Sequence, residues 1–404
     1  MPVGKGLLTY NSQTPLSTDQ FVVPRFSFVF RMKPQNTMVT VDKTFLTDAV
    51  SQWPLFHSGV ARALSISPNS PFIDTSWIVF NKPTEPTNQH AGFLLGLGLN
   101  GHLKKIARWH ILNYLTTKHV LTSVALLLGL GVSYRGTKDV KITKLLSVHV
   151  AAMLPFGAAD LKINIWIQTA GIMALGLLYC DSRHRRTSEV LLSELTAYAN
   201  PIAFSYSSSI PPELQRDEGY RLACGLALGF INLGKGPDLR SNDEREMEDR
   251  LCRISEGLTL SENAERNMMG AVPGCISALA LMYLRTNNKA MAKKLEVPQT
   301  APLMEYVRPD LLFLRTVAKN MVMWDSIKPS SEWISAQFPP HLRPRMNAPA
   351  GLDLESLDVL SISSGACYVM GLRFAGTHNE NAKKCLMLHL TKLMKVCTMK
   401  GKLV

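Results

Sequence analysis

Two glycine-rich stretches in this sequence have the spacing to cradle phosphate. Residues 96–101 read GLGLNG, the pattern G-x-G-x-x-G. In a dinucleotide-binding turn such glycines let a helix N-terminus approach a pyrophosphate, and an acid about 20 residues on binds the ribose. Here no Asp or Glu occurs between Glu85 and Asp139, and the preceding NQHAGFLL reads as helix rather than strand. Residues 229–236, GFINLGKG, approach the phosphate loop G-x-x-x-x-G-K-[ST], but Gly236 stands where a hydroxyl should meet magnesium, and Pro237 follows. The LACGLALGF before it lacks the Val and Ile of a strand. Neither stretch meets the structural context its motif needs.

Other reactive residue types are scattered. There is no H-E-x-x-H and no C-x-x-C among the ten histidines and seven cysteines, and SISSGA (361–366) lacks the glycine frame of G-x-S-x-G. No catalytic residue, metal ligand or cofactor site is assigned, and no small-molecule ligand is expected. An odd number of dispersed cysteines reads as buried, reduced thiols of the cytosol or nucleus. Apolar residues make up 46% and charged ones 19%, with a formal charge of +13. That composition fits a well-buried chain, and the charge points to acidic partners. The start, MPVGKGLLTY, lacks the build of a signal peptide. Of two apolar runs, 120–133 is too short to cross a bilayer and 163–180 contains Asn164 and Gln168, so no membrane span is expected.

The glycines make sense as part of a repeat. Six runs rich in small and apolar residues share one pattern: AGFLLGLGLNG from Ala91, SVALLLGLGVSYRG from Ser123, TAGIMALGLLYCD from Thr169, LACGLALGFINLG from Leu222, CISALALMYLRTN from Cys275 and GACYVMGLRFAG from Gly365. Each centres on a small residue: Gly98, Gly129, Gly176, Gly229, Ala280 and Gly371. Runs apolar on every side read as buried helices. A mid-helix glycine costs about 1 kcal/mol relative to alanine, so its recurrence implies helices that must approach closely. Amphipathic segments lie between the runs, at 103–115, 141–154 and 186–199. The expected unit is an inner apolar helix, a turn and an outer amphipathic helix. Stacked, such hairpins form an all-α solenoid or a partial or closed toroid. The expected organisation is an irregular, extended segment over 1–50 and a helical repeat domain over 51–404. A non-repeat helical insertion at about 296–350 would include 303–324 and the Pro-rich 337–351.

These runs resemble proteasome/cyclosome repeats. Several stretches are similar to the largest subunits of the anaphase-promoting complex: WPLFHSGVARALSISP (53–68), SWIVFNKP (76–83), AGFLLGLGLNGHL (91–103), EVLLSEL (189–195), MYLRTNN (282–288), RPDLLFLRTVAKN (308–320) and GLRFAG (371–376). The resemblance implies a non-catalytic scaffold subunit of a multi-subunit ubiquitin ligase acting in the cell cycle, in nucleus and cytoplasm. Its partners would be the other subunits and the coactivator, with cullin-like and RING subunits doing the catalysis. Members of that family are much longer, so the chain reads as part of a longer protein, and whether the ring closes is left open. The alternative is an independent helical-repeat binding module, such as a proteasome-type scaffold.

Two basic stretches complete the reading. Residues 86–138 carry six Lys or Arg and no acid, and 381–404 carry six lysines and no acid. DSRHRR (181–186) reads as a solvated turn between helices. No nucleic-acid module signature accompanies these charges, so nucleic acid is disfavoured as a partner.

Overall fold

The structure, a computed structural model, describes residues 12–24, 28–32, 35–42, 44, 46–155, 163–196, 217–239, 241–256, 270–342 and 357–400. The expected helix end at 197–199 and the Pro-rich residues from 343 to 351 lie outside these. Among the described residues, strands are confined to one antiparallel hairpin, β1 (Val29–Met32) with β2 (Thr37–Thr40), paired from Val29 with Thr40 to Met32 with Thr37. A single parallel bridge joins Gln13 to Ile66 and ties the N-terminal segment to the first long helix. Helices joined by turns and short extended segments make up the remaining described residues, in keeping with an all-α repeat fold. Among the described residues, no helix is long and apolar enough to cross a membrane. The chain divides into two compact units, Met1–Tyr179 and Cys180–Val404.

The first unit contains α1 (Asp48–Leu64), α2 (Thr75–Phe80), α3 (Asn88–Leu99), α4 (Arg108–Leu115), α5 (Val120–Ser133), α6 (Val140–Ser147) and α7 (Ile165–Leu178). The long helices α1, α3, α5 and α7 pack side by side in chain order, and the short ones flank them. Side-chain caps start the inner helices: Thr87 accepts from the His90 N–H, His119 from Thr122 and Asn164 from Trp166. Each satisfies an amide that the helix itself leaves unpaired. The core gathers Phe93, Leu94, Leu97, Leu103, Ile111, Tyr114, Leu126 and Leu130.

The amphipathic segment 103–115 is interrupted. A short 3-10 turn over His102–Lys105 gives way to extended backbone at Ile106 and Ala107 before α4 begins. The Thr75 hydroxyl spans the break, donating to the Lys105 carbonyl and accepting from the Ala107 N–H, both at 2.9 Å. A long-range hydrogen bond thus replaces the local helical ones.

The second unit contains α8 (Arg185–Thr196), α9 (Glu218–Ile231), α10 (Asn242–Glu256), α11 (Val272–Met282), α12 (Lys289–Lys294), α13 (Ala301–Glu305), α14 (Pro309–Val322), α15 (Ser331–Ser335), α16 (Leu357–Phe374) and α17 (Glu380–Lys400). Here α9, α11, α14 and α16 pack in series. Residues 303–324, expected outside the repeats, supply α14, which packs between α11 and α16. Its RPDLLFLRTVAKN carries no central glycine. It fills the inner position with alanine and threonine, since Thr316 and Ala318 are buried. Leu312, Ile334, Phe338, Ile362, Ala366, Val369 and Met370 form the core around it.

Candidate functional site

Neither phosphate-like motif forms a phosphate site. Gly96 and Gly98 lie inside α3, and Gly101 lies just past its end at φ 85°. The three therefore serve a helix and its C-terminal turn, not a strand–turn–helix. A Cβ at Gly96 would meet the Ala63 Cβ at 2.5 Å and the Val60 carbonyl at 2.7 Å, both on α1. One at Gly98 would overlap the Gly129 backbone of α5. In the second motif Gly229 is buried inside α9, and Gly234 makes a left-handed turn at φ 69°. Lys235 Nζ is committed to Asp181 at 2.8 Å, and Gly236 lies flat against the Tyr283 ring.

The central positions fall into distinct environments. Gly98 and Gly129 face each other across α3 and α5, and a Cβ on Gly129 would also meet Leu103 Cδ1 at 2.8 Å. A Cβ at Gly229 would lie 2.7 Å from Leu281 Cβ and 3.2 Å from Ala278 Cα on α11. Gly176 is buried in α7, and Ala280 is buried in α11. A Cβ at Gly371 would meet nothing within 4 Å. In α5, Gly131 rather than Gly129 faces the next helix in the series, where an added Cβ would lie 2.5 Å from Ala174 Cα.

The turns after these helices carry a device that the repeat pattern did not expose. Gly136 and Lys138, at φ 71° and 56°, donate their N–H groups to the carbonyls of Leu177 and Leu178 at 3.0 and 3.2 Å. Asp181 and Arg183 do the same to Phe230 and Ile231 at 2.9 and 3.1 Å. Gly234 donates to Leu281 at 3.0 Å, and Arg285 and Asn287 to Met321 and Val322, both at 3.0 Å. Each accepting pair closes an inner helix, so the turn supplies donors to C-terminal carbonyls that would otherwise be orphaned. Where the residue between the two donors is threonine, its hydroxyl closes the turn on the carbonyl three residues back, as Thr137 on Tyr134 and Thr286 on Tyr283, both at 2.8 Å. The sequence signal was present: YRGTKD (134–139), YCDSRH (179–184), YLRTNN (283–288) and FAGTHN (374–379) share an aromatic residue, a Thr or Ser three positions on, and a helix-capping residue two positions after that. The left-handed backbone is held by residue types as different as Gly, Asp, Lys and Arg, which hides the pattern from a search for glycine.

Buried polar groups lock hairpins from within. His90 Nε2 meets the Tyr114 hydroxyl at 3.1 Å, and burial pushes the imidazole down to about 4, keeping it neutral. The Tyr220 hydroxyl donates to Glu194 Oε2 at 2.8 Å, joining α9 to α8. Burial raises the Glu194 carboxyl to about 7, against the opposing effect of that hydrogen bond. Arg315 of α14 donates to the carbonyls of Ser255 and Lys294. Cys224 and Cys275 are fully buried, and burial raises both thiols, which fits inert packing groups. Among the described residues, no group of His, Cys, Asp or Glu has the arrangement to hold a metal ion.

Surface charge is organised differently in the two units. In the second, the basic turn 181–186 is paired with acids: Arg183 with Asp238 at 3.8 Å, and Arg185 with Glu189 at 2.7 Å and Asp243 at 2.8 Å. In the first, Lys104, Lys105, Arg108, Lys118, Arg135 and Lys138 are all exposed, and among the described residues none makes an ion pair. Trp109 and Leu112, next to Arg108 on α4, are also exposed, at 69% and 49%. The described residues present packed helices and exposed basic side chains.

Residues 1–135 match the family model described as APC1 fourth domain, and residues 140–404 match APC1 fifth domain. The chain is 44% identical over 398 residues to a "Negative regulator of mitosis" of Emericella nidulans, covering 98% of this chain and 19% of the relative. It is 42% identical over 404 residues to "Anaphase-promoting complex subunit 1" of Schizosaccharomyces pombe, covering 100% of this chain and 27% of the relative. The protein of the same name from Homo sapiens is 36% identical over 419 residues, covering 96% of this chain and 21% of the relative. The chain thus spans a fifth to a quarter of the length of these relatives. These matches place the chain in the family of anaphase-promoting complex subunit 1.

Proposed function

We propose that this chain is a non-catalytic scaffold within an anaphase-promoting complex, working in nucleus and cytoplasm, and that its helical repeats support neighbouring subunits and the coactivator. The observation that carries this reading is the inter-helix brace. Turn amides cap the end of another inner helix four times over, while small residues bring helix backbones into contact. In such an array each repeat rests on its neighbours, and stacked repeats offer extended binding surface.

The partner-facing surface we assign to the first unit is the exposed basic face of Lys104, Lys105 and Arg108 with Trp109 and Leu112. Unpaired cations around an exposed aromatic suit an acidic protein segment, steering its approach while the tryptophan supplies the anchor. The test is affinity purification of the tagged chain from cells, followed by identification of what comes with it. Other subunits of the ubiquitin ligase should co-purify, and Lys104→Glu with Lys105→Glu and Trp109→Ala should weaken that capture while leaving the fold unchanged by circular dichroism. Capture of no ligase subunit by a folded chain would refute the assignment.

A further inference from the structure

The cations of the first unit flank a break in the backbone. By its periodicity 103–115 would run as one helix, because Leu103, Ile106, Ile111 and Tyr114, all buried, share one side of a helical repeat. A continuous helix would set Lys104 and Lys105 four and three residues from Arg108, crowding like charges on the opposite side. The chain instead turns as a 3-10 helix over His102–Lys105. It runs extended through Ile106 (φ −73°, ψ 131°) and Ala107 (φ −70°, ψ 140°), and becomes helical again at Arg108. Extended residues rise about 3.3 Å each against about 1.5 Å in a helix, so the break lengthens the line from the lysines to Arg108.

No Gly or Pro stands between His102 and Arg108 to force this break. Thr75 holds it from 30 residues away. Its hydroxyl takes the Lys105 carbonyl and the Ala107 N–H, both at 2.9 Å, which are groups a continuous helix would pair internally. Thr75 is free to do so because Asp74 caps α2, accepting from the Trp77 N–H at 2.9 Å. Burial of Trp77 and Ile78 fixes α2 in the core of the first unit. On the near side of the break, the Tyr134 hydroxyl donates to the Lys104 carbonyl at 3.3 Å. Lys105 and Ala107 are both exposed, so water can replace the Thr75 hydroxyl on either group at small cost. What the two hydrogen bonds fix is the direction of the backbone.

We infer that Thr75 is the positioning residue of a docking surface for an extended acidic segment of a partner protein. Acids of that segment meet Lys104, Lys105 and Arg108, and an apolar residue packs on Trp109 and Leu112. The inference rests on the reading of these residues as partner-facing. Charge complementarity selects the acids: residues 86–138 hold no Asp or Glu, and the three cations form no ion pair among the described residues. The spread of the cations along a broken backbone selects an extended segment over a helix or a single phosphate. Thr75 touches no partner in this arrangement. It acts through the backbone of Lys105 and Ala107.

The test is fluorescence anisotropy on the full 404-residue chain with two labelled peptides of equal charge. One alternates Glu with Gly and stays extended, the other combines Glu with Ala and favours helix, and both end in Leu-Phe. Phosphoserine serves as the competitor with a single phosphate. All variants are compared at a temperature where circular dichroism shows each of them folded. Thr75→Ala should weaken binding of the extended peptide about three- to tenfold, the cost of ordering one or two loosened side chains. Thr75→Ser keeps the hydroxyl and should bind as the parent chain does. Thr75→Ala combined with Ala107→Pro separates position from the hydroxyl. Proline holds φ at about −65°, near the −70° of Ala107, Ile106 already has the extended backbone that must precede it, and alanine at 75 leaves room for the ring. This pair should regain most of the lost affinity. Unchanged binding by Thr75→Ala, or no recovery in the proline pair, would overturn the positioning role. Tighter binding of the helical peptide, or displacement by phosphoserine, would overturn the extended occupant. The surface itself fails separately, if Lys104→Glu with Lys105→Glu leaves the extended peptide bound as before.

Discussion

Single residues decide how near two helices come. Gly98 is the sharpest case, because its neighbour is the Gly129 backbone and not a side chain that could swing away. Overpacking typically costs about 1–3 kcal/mol, more than the roughly 1 kcal/mol that alanine gains in a helix. Gly98→Ala is therefore expected to destabilise the chain, and Gly371→Ala, facing open space, to stabilise it by up to about 1 kcal/mol. Urea denaturation of the two variants reads the opposite signs. Glu194 gives a pH signature. Its carboxyl is raised from 4.5 to about 7 in the folded chain, so folding favours the protonated form. Its contribution is fully present below the unfolded value and is lost as pH rises from about 4.5 to about 7. The loss is on the order of 3 kcal/mol for a shift of this size. Glu194→Gln keeps an acceptor for Tyr220 and should flatten this part of the stability–pH curve, measured by denaturant midpoints between pH 4 and 8.

Turns govern the stacking of elements. The amide of Arg285 reaches from the end of α11 to the Met321 carbonyl near the end of α14, and its backbone is left-handed at φ 59°. Arg285→Gly keeps the amide and relieves the conformational penalty of a side chain there, so stability should be unchanged or rise by up to about 1 kcal/mol. Arg285→Pro removes the donor and forces a negative φ, which should cost about 3 kcal/mol or more. A thermal melt of both variants separates the value of the hydrogen bond from that of the side chain. A buried pair provides a second check at this scale. Tyr114→Phe leaves the neutral His90 ring on α3 without its α4 partner, which should cost about 1–3 kcal/mol in chemical denaturation.

Across the whole molecule, turns of one kind recur at the borders. The matches to the fourth and fifth domain models meet between residues 135 and 140, and the two compact units part between Tyr179 and Cys180. Both places fall in copies of the same turn, YRGTKD and YCDSRH. Charge also acts at this scale. The exposed ion pairs of the second unit contribute little to stability individually, and salt screens them. Raising salt from about 0.05 to 0.5 M should therefore shift the melting temperature only slightly. Capture of acidic partners by the +13 chain should fall steeply over the same range, as affinity measured at several salt concentrations would show.

The sequence by itself determined the class of this protein. Runs such as SVALLLGLGVS and TAGIMALGLLYC are apolar on every side and studded with small residues, and only helices buried among helices satisfy that composition. It also argued against a nucleotide at the glycine motifs, because the acid and strand that such a site needs are missing nearby. Tertiary structure decided what depends on contacts between distant residues. It set α14 in the inner series without a central glycine, broke 103–115 at the Thr75 hydroxyl, and shifted the α5 contact from Gly129 to Gly131. It also revealed the braced turns, whose hydrogen bonds join amides to carbonyls about 40 residues away. The physical reason is common to all of these. Helix formation and burial are written in local periodicity, whereas the partner of a backbone amide or the space beside a glycine is set by a neighbour the local pattern cannot name.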